Sequence, residues 1–172
     1  MAGSSRRERT LLRSARAGSI AAFEQLFREH WPDAYRAALL VVHDAAAAED
    51  IAQEAFLRAI RSLDRFDRGR PFAPWLHRIV VNRAIDWARA RASRRETEIQ
   101  GEGAAPDQHA EIGDELLAAL AGLPPEHRAV IVLRHLLGYT PGEIAEYLDL
   151  PRGTVNSRLR RGLDALQERL SE

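Results

Sequence analysis

Apolar residues recur every three or four positions along most of the chain, which is the period of a helix packed on one face. Strand-like alternation is not sustained anywhere, so the pattern predicts an all-α fold. The predicted helical segments are 8–29 (broken at Gly18–Ser19), 31–42, 45–66, 72–95, 111–120, 125–137, 140–148 and 152–170. The two segments between 111 and 137 are expected to place Leu116, Leu120, Val130, Leu133 and Leu136 in a core.

The last two segments are separated by a short interruption at Asp149–Pro151, since proline cannot continue a helix. Thr140 is placed to cap the first of them above Glu143. The second carries one apolar stripe: Val155, Leu159, Leu163, Leu166 and Leu170. Two short amphipathic helices around a tight turn indicate a helix-turn-helix, with the second as the reading helix.

Charge strengthens this interpretation. Residues 152–161 contain four arginines and no acid, and Ser157, Arg160 and Arg161 project roughly opposite the apolar stripe. A helix that is packed on one side and cationic on the other fits the major groove of DNA. The alternative is a helical hairpin with a solvated arginine face.

Basic and acidic residues are segregated, although the net charge is zero and all 25 basic residues are arginine. Residues 77–95 carry +5, and residues 96–126 carry −8. For DNA binding the local patch matters more than the total. Residues 96–113 lack periodicity and are predicted to be a flexible acidic linker between two small helical domains, 1–95 and 114–172. Fully extended, this linker reaches about 60 Å.

Composition excludes several classes of function. The chain has no cysteine, and its six histidines are scattered, so neither a metal site nor another cofactor is expected. No apolar run approaches the roughly 18 residues of a membrane span. The opening residues lack an apolar signal core. These features predict a soluble cytoplasmic protein that does not insert into a membrane.

The segment 45–66 carries a polar patch with one leucine in it. Projected as a helix, it groups Asp50, Gln53, Glu54 and Leu57, and it turns Ile51, Ala55, Ala59 and Leu63 toward a core. Such a patch suits a protein partner. The alternative is an ordinary solvated helix face, and taken alone the patch favours that interpretation. Paired carboxylates for acid–base catalysis are a weaker third interpretation, because no nucleophile accompanies them.

The segment 72–95 follows a loop at 67–71 and groups Trp75, Asn82, Asp86 and Arg89 on one side, with Arg78 beside them. Trp75 lies where an aromatic ring can stack on an unpaired base. Packing of Trp75 beneath the preceding loop is the alternative. The arginine run at the end of the segment is either a solvated helix end or a phosphate-binding surface.

Three blocks in this order point to a family. They read DIAQEAFLRAI, FAPWLHRIVVNRAIDWARA and, after the acidic linker, LPPEHRAVIVLRHLLGYTPGEIAEYLDLPRGTVNSRLRRGLDAL. From about Thr10 to Leu170 the chain closely resembles the extracytoplasmic-function (ECF) sigma factors, the two-domain group of the sigma-70 family of bacterial RNA polymerase.

The resemblance implies roles for particular residues. The patch in 45–66 would bind the clamp helices of the largest polymerase subunit, against the solvated-face reading, through Asp50, Gln53, Glu54 and Leu57. The first domain would recognise and melt the minus-ten element with Arg70, Phe72, Trp75, Arg78, Asn82, Arg83, Asp86, Arg89 and Arg91. The second would read the minus-thirty-five element with Arg152, Thr154, Asn156, Ser157, Arg158, Arg160 and Arg161.

Asn156 departs from the family, which often has lysine or arginine there. Asparagine pairs with adenine rather than guanine, so this residue changes the expected minus-thirty-five sequence.

The implied partners are core RNA polymerase, promoter DNA and an anti-sigma factor that can hold the chain at the inner face of the membrane. The carboxyl-terminal domain would contact the polymerase flap, and the free chain would be a monomer without enzymatic activity. A response-type regulator is disfavoured, because no βα receiver domain precedes the reading helix. A metal-dependent hydrolase in a helical bundle is disfavoured by the missing ligand spacing.

Overall fold

The structure is a computed structural model that describes residues 6–67, 70–97 and 113–171. The described residues form helices, short turns and no strand, which confirms the predicted all-α class. The helices are α1 (Arg6–Arg16), α2 (Ile20–Val42), α3 (Ala45–Arg61), α4 (Phe72–Thr97), α5 (Asp114–Ala121), α6 (Pro125–Ile131), α7 (Pro141–Leu148) and α8 (Arg152–Leu170). A 3-10 turn follows α3 at Leu63–Arg65, and a π-helical turn follows α6 at Val132–Leu136.

Side-chain caps start the first long helices. The Ser19 hydroxyl accepts a hydrogen bond from the backbone amide of Ala22 at the start of α2. The Asp44 carboxylate accepts one from Ala47 at 2.9 Å at the start of α3. Between α2 and α3, His43 adopts a left-handed conformation with φ of 52°. These contacts provide hydrogen-bond acceptors for backbone amides that have no partner inside the helix. The chain can therefore reverse direction at 43–44 without leaving those amides unsatisfied.

Helix α2 runs without interruption through Pro32, whereas the sequence predicted that Pro32 would lie in the first turn of a separate helix. An internal proline removes one backbone hydrogen bond and costs about 3 kcal/mol. Burial on both sides offsets this cost. Phe27 stacks on Trp31 with ring centroids 4.7 Å apart, and the run from Ala34 to Val42 is largely buried against α3 and α4.

The helix-turn-helix pair forms as predicted. The Thr140 side chain accepts from the Glu143 amide, and the Glu143 carboxylate accepts from the Thr140 amide at 2.8 Å, which completes a capping box at the start of α7. Asp149 ends α7 with a φ of 53°, and Pro151 precedes the first residue of α8. The turn is therefore set by residues whose conformations exclude a continuous helix.

The predicted apolar stripe of α8 is buried only in its first half. Val155 and Leu159 are buried, but Leu163 is 39% and Leu170 41% exposed. The contact with α6 passes instead through Gly162, where an added Cβ would lie 2.8 Å from the Ile131 side chain. The absence of a side chain at this position lets α8 approach α6 closely, and beyond it Ala165 and Leu166 pack against the core while Arg169 donates a hydrogen bond to the Gly122 carbonyl.

Helix α5 differs from the prediction in the face that it buries. Leu120, Val130 and Leu133 lie in the core as predicted, and Leu136 packs against it, but Leu116 is 38% exposed and Leu117 is buried in its place. The predicted start of this helix at residue 111 lies outside the described residues. So does most of the predicted linker, of which only residues 96–97, at the end of α4, and Gly113, before α5, are described.

The amino-terminal helices α1–α4 pack against the carboxyl-terminal helices α5–α8, and we call the contact between these two groups the seam. α5, α6 and the π-helical turn contact α2, while α6 and α7 contact α4. The buried apolar residues of both groups belong to a single core cluster. In this arrangement the helix that carries the predicted minus-ten contacts is also part of the seam.

Candidate polymerase and nucleic-acid interfaces

The predicted polymerase patch lies on the outer face of α3. Asp50, Gln53 and Glu54 are exposed, and the Leu57 side chain is 52% exposed. The opposite face of α3 is buried, with Ile51, Ala55 and Ala59 in the core and Leu63 beside them in the following turn. An exposed leucine ringed by polar groups is the arrangement expected of a protein-binding surface.

Five of the predicted minus-ten residues line one open cleft of about 450 Å³ between α3 and α4. They are Trp75, Arg78, Asn82, Arg83 and Asp86. The cleft combines an aromatic ring, hydrogen-bonding groups and cationic walls. These are the features that hold an unstacked base and its phosphates.

Four residues of this cleft were not anticipated from the sequence, Ile79 of α4 and three polar residues on the opposite wall. Arg58, Ser62 and Arg65, from the end of α3 and the turn after it, complete its wall. Their spacing of four and three residues places them on one helical side, which is the signal that was available. That signal does not reveal that this side faces α4, because the crossing of two helices is a tertiary property.

The Trp75 ring takes part in both arrangements that the sequence left open. It packs against Phe66, with ring centroids 4.7 Å apart, and meets Phe72 at 5.8 Å, while it also lines the cleft. Phe72 itself is only 3% exposed and packs in the core. The prediction that Phe72 contacts DNA is therefore wrong for this conformation, and its ring supports Trp75 from behind.

Several arginines among the predicted minus-ten contacts are engaged with carboxylates. Arg91 pairs with Asp44 at 3.1 Å and lies over the Trp87 ring. Arg89 pairs with Glu126, which belongs to α6 of the carboxyl-terminal group. Arg70, which is largely exposed, lies 3.8 Å from the Asp67 carboxylate. In the isolated chain these cations neutralise acids of the protein itself.

The reading helix presents a continuous polar surface. Arg152, Asn156, Arg160 and Arg161 are exposed, and Thr154, Ser157 and Arg158 are half-buried. All seven predicted contacts thus lie on or beside the exposed face of α8. This surface satisfies the geometric requirement for entry into a major groove.

Glu126 interacts with arginines from both of the predicted nucleic-acid surfaces. Burial acts to raise its pKa, but the hydrogen bond from Arg89 and the charges of Arg89 and Arg158 hold the pKa below its usual range. Arg89 belongs to the predicted minus-ten surface, and Arg158 belongs to the reading helix. A single carboxylate therefore lies within electrostatic reach of both.

Buried polar groups lie along the seam. His77 Nδ1 of α4 and the Tyr139 hydroxyl, which precedes α7, share a hydrogen bond of 2.7 Å. Burial lowers the pKa of His77 to about 4 and raises the pKa of Tyr139 above its usual range. Both groups are therefore neutral near pH 7.

A second pair of polar side chains at the seam, His43 and Arg128, has fewer hydrogen bonds. Burial lowers the pKa of His43 to about 4, with a contribution from the nearby Arg128 charge, and lowers the pKa of Arg128 to about 10. His43 Nε2 and Arg128 Nε have no hydrogen-bond partner within the described part of the chain. Groups buried in this way destabilise the contact that buries them.

Within residues 6–67, 70–97 and 113–171, no cluster of three or more histidine or acidic side chains is arranged to hold a metal ion. Nor does any helix in those ranges have the length and apolar character that crossing a bilayer requires.

Comparison with known proteins agrees with this geometry. Residues 26–94 match the family model of Sigma-70 region 2, and residues 113–166 match that of Sigma-70, region 4. The chain is 36% identical over 163 residues to RNA polymerase sigma factor CarQ of Myxococcus xanthus, covering 91% of this chain and 94% of CarQ. It is 31% identical over 178 residues to ECF RNA polymerase sigma factor SigW of Bacillus subtilis, covering 94% and 95%.

Solved structures give the same result. CnrH, in complex with the cytosolic domain of CnrY, superimposes with a TM-score of 0.72 at 30% identity, covering 96% of this chain and 97% of CnrH. Sigma factor RpoE, in complex with the anti-sigma factor NepR from Bartonella quintana, shares the fold with a TM-score of 0.72 at 24% identity, over 88% and 98% of the two chains. The chain therefore belongs to the sigma-70 family of RNA polymerase sigma factors, within its extracytoplasmic-function group.

Proposed function

We propose that this sigma factor binds core RNA polymerase through the α3 patch, captures unpaired bases of the minus-ten element in the α3–α4 cleft and reads the minus-thirty-five element with α8. The observation that carries the proposal is the cleft itself. It brings Trp75, Asn82 and Asp86 together with arginines from two helices, beside an exposed patch on the same α3 helix.

Charge distribution supports this division of roles. The cleft wall holds Arg58, Arg65, Arg78 and Arg83, which suits a nucleic-acid backbone, whereas Asp50 and Glu54 make the adjoining patch acidic. A polyanion is attracted to the first surface and repelled by the second. The acidic patch is thus left for a protein partner with a complementary basic surface.

Initiation by this chain needs positioning and not covalent chemistry. Extracting a base from the duplex costs a few kcal/mol, which stacking on Trp75 and hydrogen bonds in the cleft would offset in part. The two parts, 1–95 and 114–172, would act at separate promoter elements, with 96–113 spanning the distance between them. The carboxyl-terminal part would also contact the polymerase flap.

Regulation by an anti-sigma factor is part of the same proposal. CnrH, which is 30% identical to this chain, was solved in complex with the cytosolic domain of CnrY. We place this sigma factor in the cytoplasm as a monomer under comparable control, with an anti-sigma partner that can tether it to the membrane.

Reconstitution with sigma-free core polymerase tests the proposal. The complex is isolated by size-exclusion chromatography and given a DNA library in which a transcribed barcode identifies each randomised upstream region, and the transcripts are sequenced. Co-elution and the emergence of two upstream motifs are expected. Core polymerase alone and core polymerase with an unrelated sigma factor are the controls. Absence of co-elution, or transcripts with no selected motif, would contradict it.

A further inference from the structure

Helix α1 contacts both ends of the segment that joins α3 to α4. At one end, Arg16 Nε donates a hydrogen bond of 2.7 Å to the Asp64 carboxylate, in the 3-10 turn that follows α3. At the other end, the Glu8 carboxylate accepts a hydrogen bond of 3.3 Å from the backbone amide of Phe72, the first residue of α4. Helix α1 precedes the Sigma-70 region 2 match, which begins at residue 26. It nevertheless links the end of α3 to the start of α4.

The contact between Glu8 and Phe72 supplies a helix cap that the local sequence lacks. The first amides of a helix have no partner inside it and are commonly capped by the side chain that precedes the helix. The residue before α4 is Pro71, whose side chain cannot accept a hydrogen bond. Glu8 provides the acceptor from 64 positions away, and its negative charge is favoured at a helix amino terminus. The start of α4 is therefore held by α1.

The apolar side of α1 anchors these polar contacts. Glu8, Leu12 and Arg16 recur every four residues, so they lie along one side of the helix. Leu12 is only 1% exposed and belongs to the core, and Leu11 and Ala15 pack against that core. Since a helix rises about 1.5 Å per residue, Glu8 and Arg16 lie about 12 Å apart along α1. The buried leucine between them fixes both against the domain.

Both contacts lead to the Trp75 ring. Phe66 follows the turn that carries Asp64, and Phe72 begins α4. The two phenyl rings are buried and meet edge to face, with centroids 6.0 Å apart. Trp75 packs against Phe66 at 4.7 Å and against Phe72 at 5.8 Å. The separation of the turn from the start of α4 therefore determines where the Trp75 ring lies in the α3–α4 cleft.

The two contacts of α1 differ in exposure. The Glu8 side chain is 15% exposed, whereas the side chains of Arg16 and Asp64 are 39% and 77% exposed. Exposed ion pairs stabilise little, because water and salt screen them. Glu8 is therefore the stronger of the two contacts, and Arg16 is the weaker.

We propose that Glu8 and Arg16 are positioning residues for promoter melting, which hold Phe66 and Phe72 so that the Trp75 ring can stack on an unpaired minus-ten base. This inference rests on the proposed function and adds α1 to the elements that perform it. Neither side chain touches the base. Their loss removes stacking on the tryptophan and leaves the contact with polymerase unchanged.

The test compares two double variants of the full chain in holoenzyme. The α1 variant carries Glu8→Met and Arg16→Met. The matched control carries Arg7→Met and Glu29→Met, which remove a 3.2 Å ion pair that joins α1 to α2. Each variant loses one carboxylate and one guanidinium, so the net charge stays at the wild-type value. Fluorescence anisotropy measures holoenzyme binding to a labelled single strand that carries the minus-ten sequence selected by transcription.

We expect the α1 variant to bind the single strand about tenfold more weakly than wild type, since a base stacked on an aromatic ring contributes at least that much affinity. Core affinity and the circular dichroism spectrum should match wild type, and the control variant should match wild type throughout. Glu8→Gln alone keeps an oxygen that can accept from the Phe72 amide and should bind normally, whereas Glu8→Met alone should lose affinity. This pair of single variants makes the same test if the double variant does not fold.

A second measurement separates positioning from a general loss of folded protein. Glu8→Met is introduced into a Trp75→Ala chain, in which no ring is left to position. If Glu8 acts through Trp75, the substitution should cause no further loss of single-strand affinity there, because the two effects are not additive. A general loss of folded protein would lower the affinity by the same factor in both backgrounds.

The outcomes separate this inference from the proposed function. If wild-type holoenzyme opens the promoter but the α1 variant binds the single strand normally, the positioning role is overturned and the sigma function stands. An equal loss in the control variant, or an equal loss with and without Trp75, overturns it in the same way. If holoenzyme neither forms nor opens promoters, the proposed function fails, and the positioning role fails with it.

Discussion

Glu54 and Arg83 join the proposed polymerase patch on α3 to the proposed minus-ten cleft between α3 and α4. The Arg83 guanidinium donates to the Glu54 carboxylate at 2.9 Å, so a residue of the polymerase patch on α3 holds a residue of the minus-ten cleft on α4. Arg83 is half-buried and Glu54 exposed, and a partner that binds Glu54 would release Arg83 toward DNA. Under the proposed function, binding of polymerase and capture of the promoter would therefore be coupled through this ion pair.

Charge reversal in the patch should weaken the complex with polymerase. We expect Asp50→Arg combined with Glu54→Arg to reduce affinity for core polymerase by several kcal/mol, because like charges would then oppose each other across the interface. Fluorescence titration of core polymerase measures the effect, and circular dichroism checks that the helices persist. A matched reversal at Glu115 and Glu168 should leave affinity unchanged. If the patch variant bound core polymerase with wild-type affinity, the α3 patch would not be the binding surface.

Asn82→Ala should impair melting and spare assembly. Asn82 is exposed in the cleft beside Trp75, so its amide is available to a flipped base and is not needed for packing. Permanganate reactivity of minus-ten thymines at saturating holoenzyme should fall, while core affinity stays constant. Asn156→Ala removes the same amide from α8 and should leave saturated melting intact. Equal reactivity in Asn82→Ala and wild type would show that Asn82 has no part in opening.

The two exposed arginines of the reading helix should behave differently. We assign Arg160 to a base, since it lies nearer Ser157 and the amino-terminal half of α8, and Arg161 to a phosphate. Arg160→Ala should cost about 1–3 kcal/mol and relax preference at one base pair. Arg161→Ala should weaken binding to all sequences and lower the salt slope by about one.

Holoenzyme binding to every single-base variant of the minus-thirty-five element, at several salt concentrations, separates the two roles. Leu163→Ala, on the partly exposed apolar stripe, is the control and should alter neither quantity. The assignment is reversed if Arg161→Ala changes base preference while Arg160→Ala changes only the salt slope.

Acid should destabilise the chain through its buried histidines. The folded pKa of His77 and of His43 is about 4, below the ordinary value of 6.5, because burial disfavours the charged ring. Between these two values the unfolded chain binds protons that the folded chain does not. The free energy of unfolding is therefore constant above about pH 7 and falls as the pH is lowered toward 4, by up to roughly 1.4 kcal/mol per pH unit for each histidine.

Urea denaturation between about pH 5 and 8 measures this slope. The groups that face His77 are Asp33 and His30 of α2 and the Tyr139 hydroxyl, and of these only Asp33 favours the protonated ring. We expect His77→Gln to remove the contribution of one histidine to the pH dependence of the free energy of unfolding. An unchanged slope in His77→Gln would show that His77 is not buried against the carboxyl-terminal domain in solution.

Local features of this fold were readable from the sequence. The capping box needs only Thr140 and Glu143 at the right spacing, and the burial of Val155 and Leu159 follows from helical periodicity. These relationships span one or two helical turns. For the same reason the outward face of α3, with Leu57 exposed, was predicted correctly.

Features that depend on how the helices cross could not be predicted from the sequence. Leu163 is 39% exposed although it belongs to the stripe, and its neighbour Gly162 makes the close approach to Ile131 of α6. Phe72 is buried because α4 starts beneath the Phe66 ring. The His77–Tyr139 contact joins residues 62 positions apart, and no periodic pattern encodes such a pair.

Glu126 has a consequence for genetics. It pairs with Arg89 on α4 and lies within electrostatic reach of Arg158 on α8, so a substitution there would affect both of the helices that we propose to contact the promoter. Its effects are pleiotropic: a single mutation would shift the use of minus-ten and minus-thirty-five elements together. Selection for altered use of one promoter element could not change this residue without also altering the use of the other element. Suppressor screens that start from a defect in either element should therefore both recover mutations at codon 126.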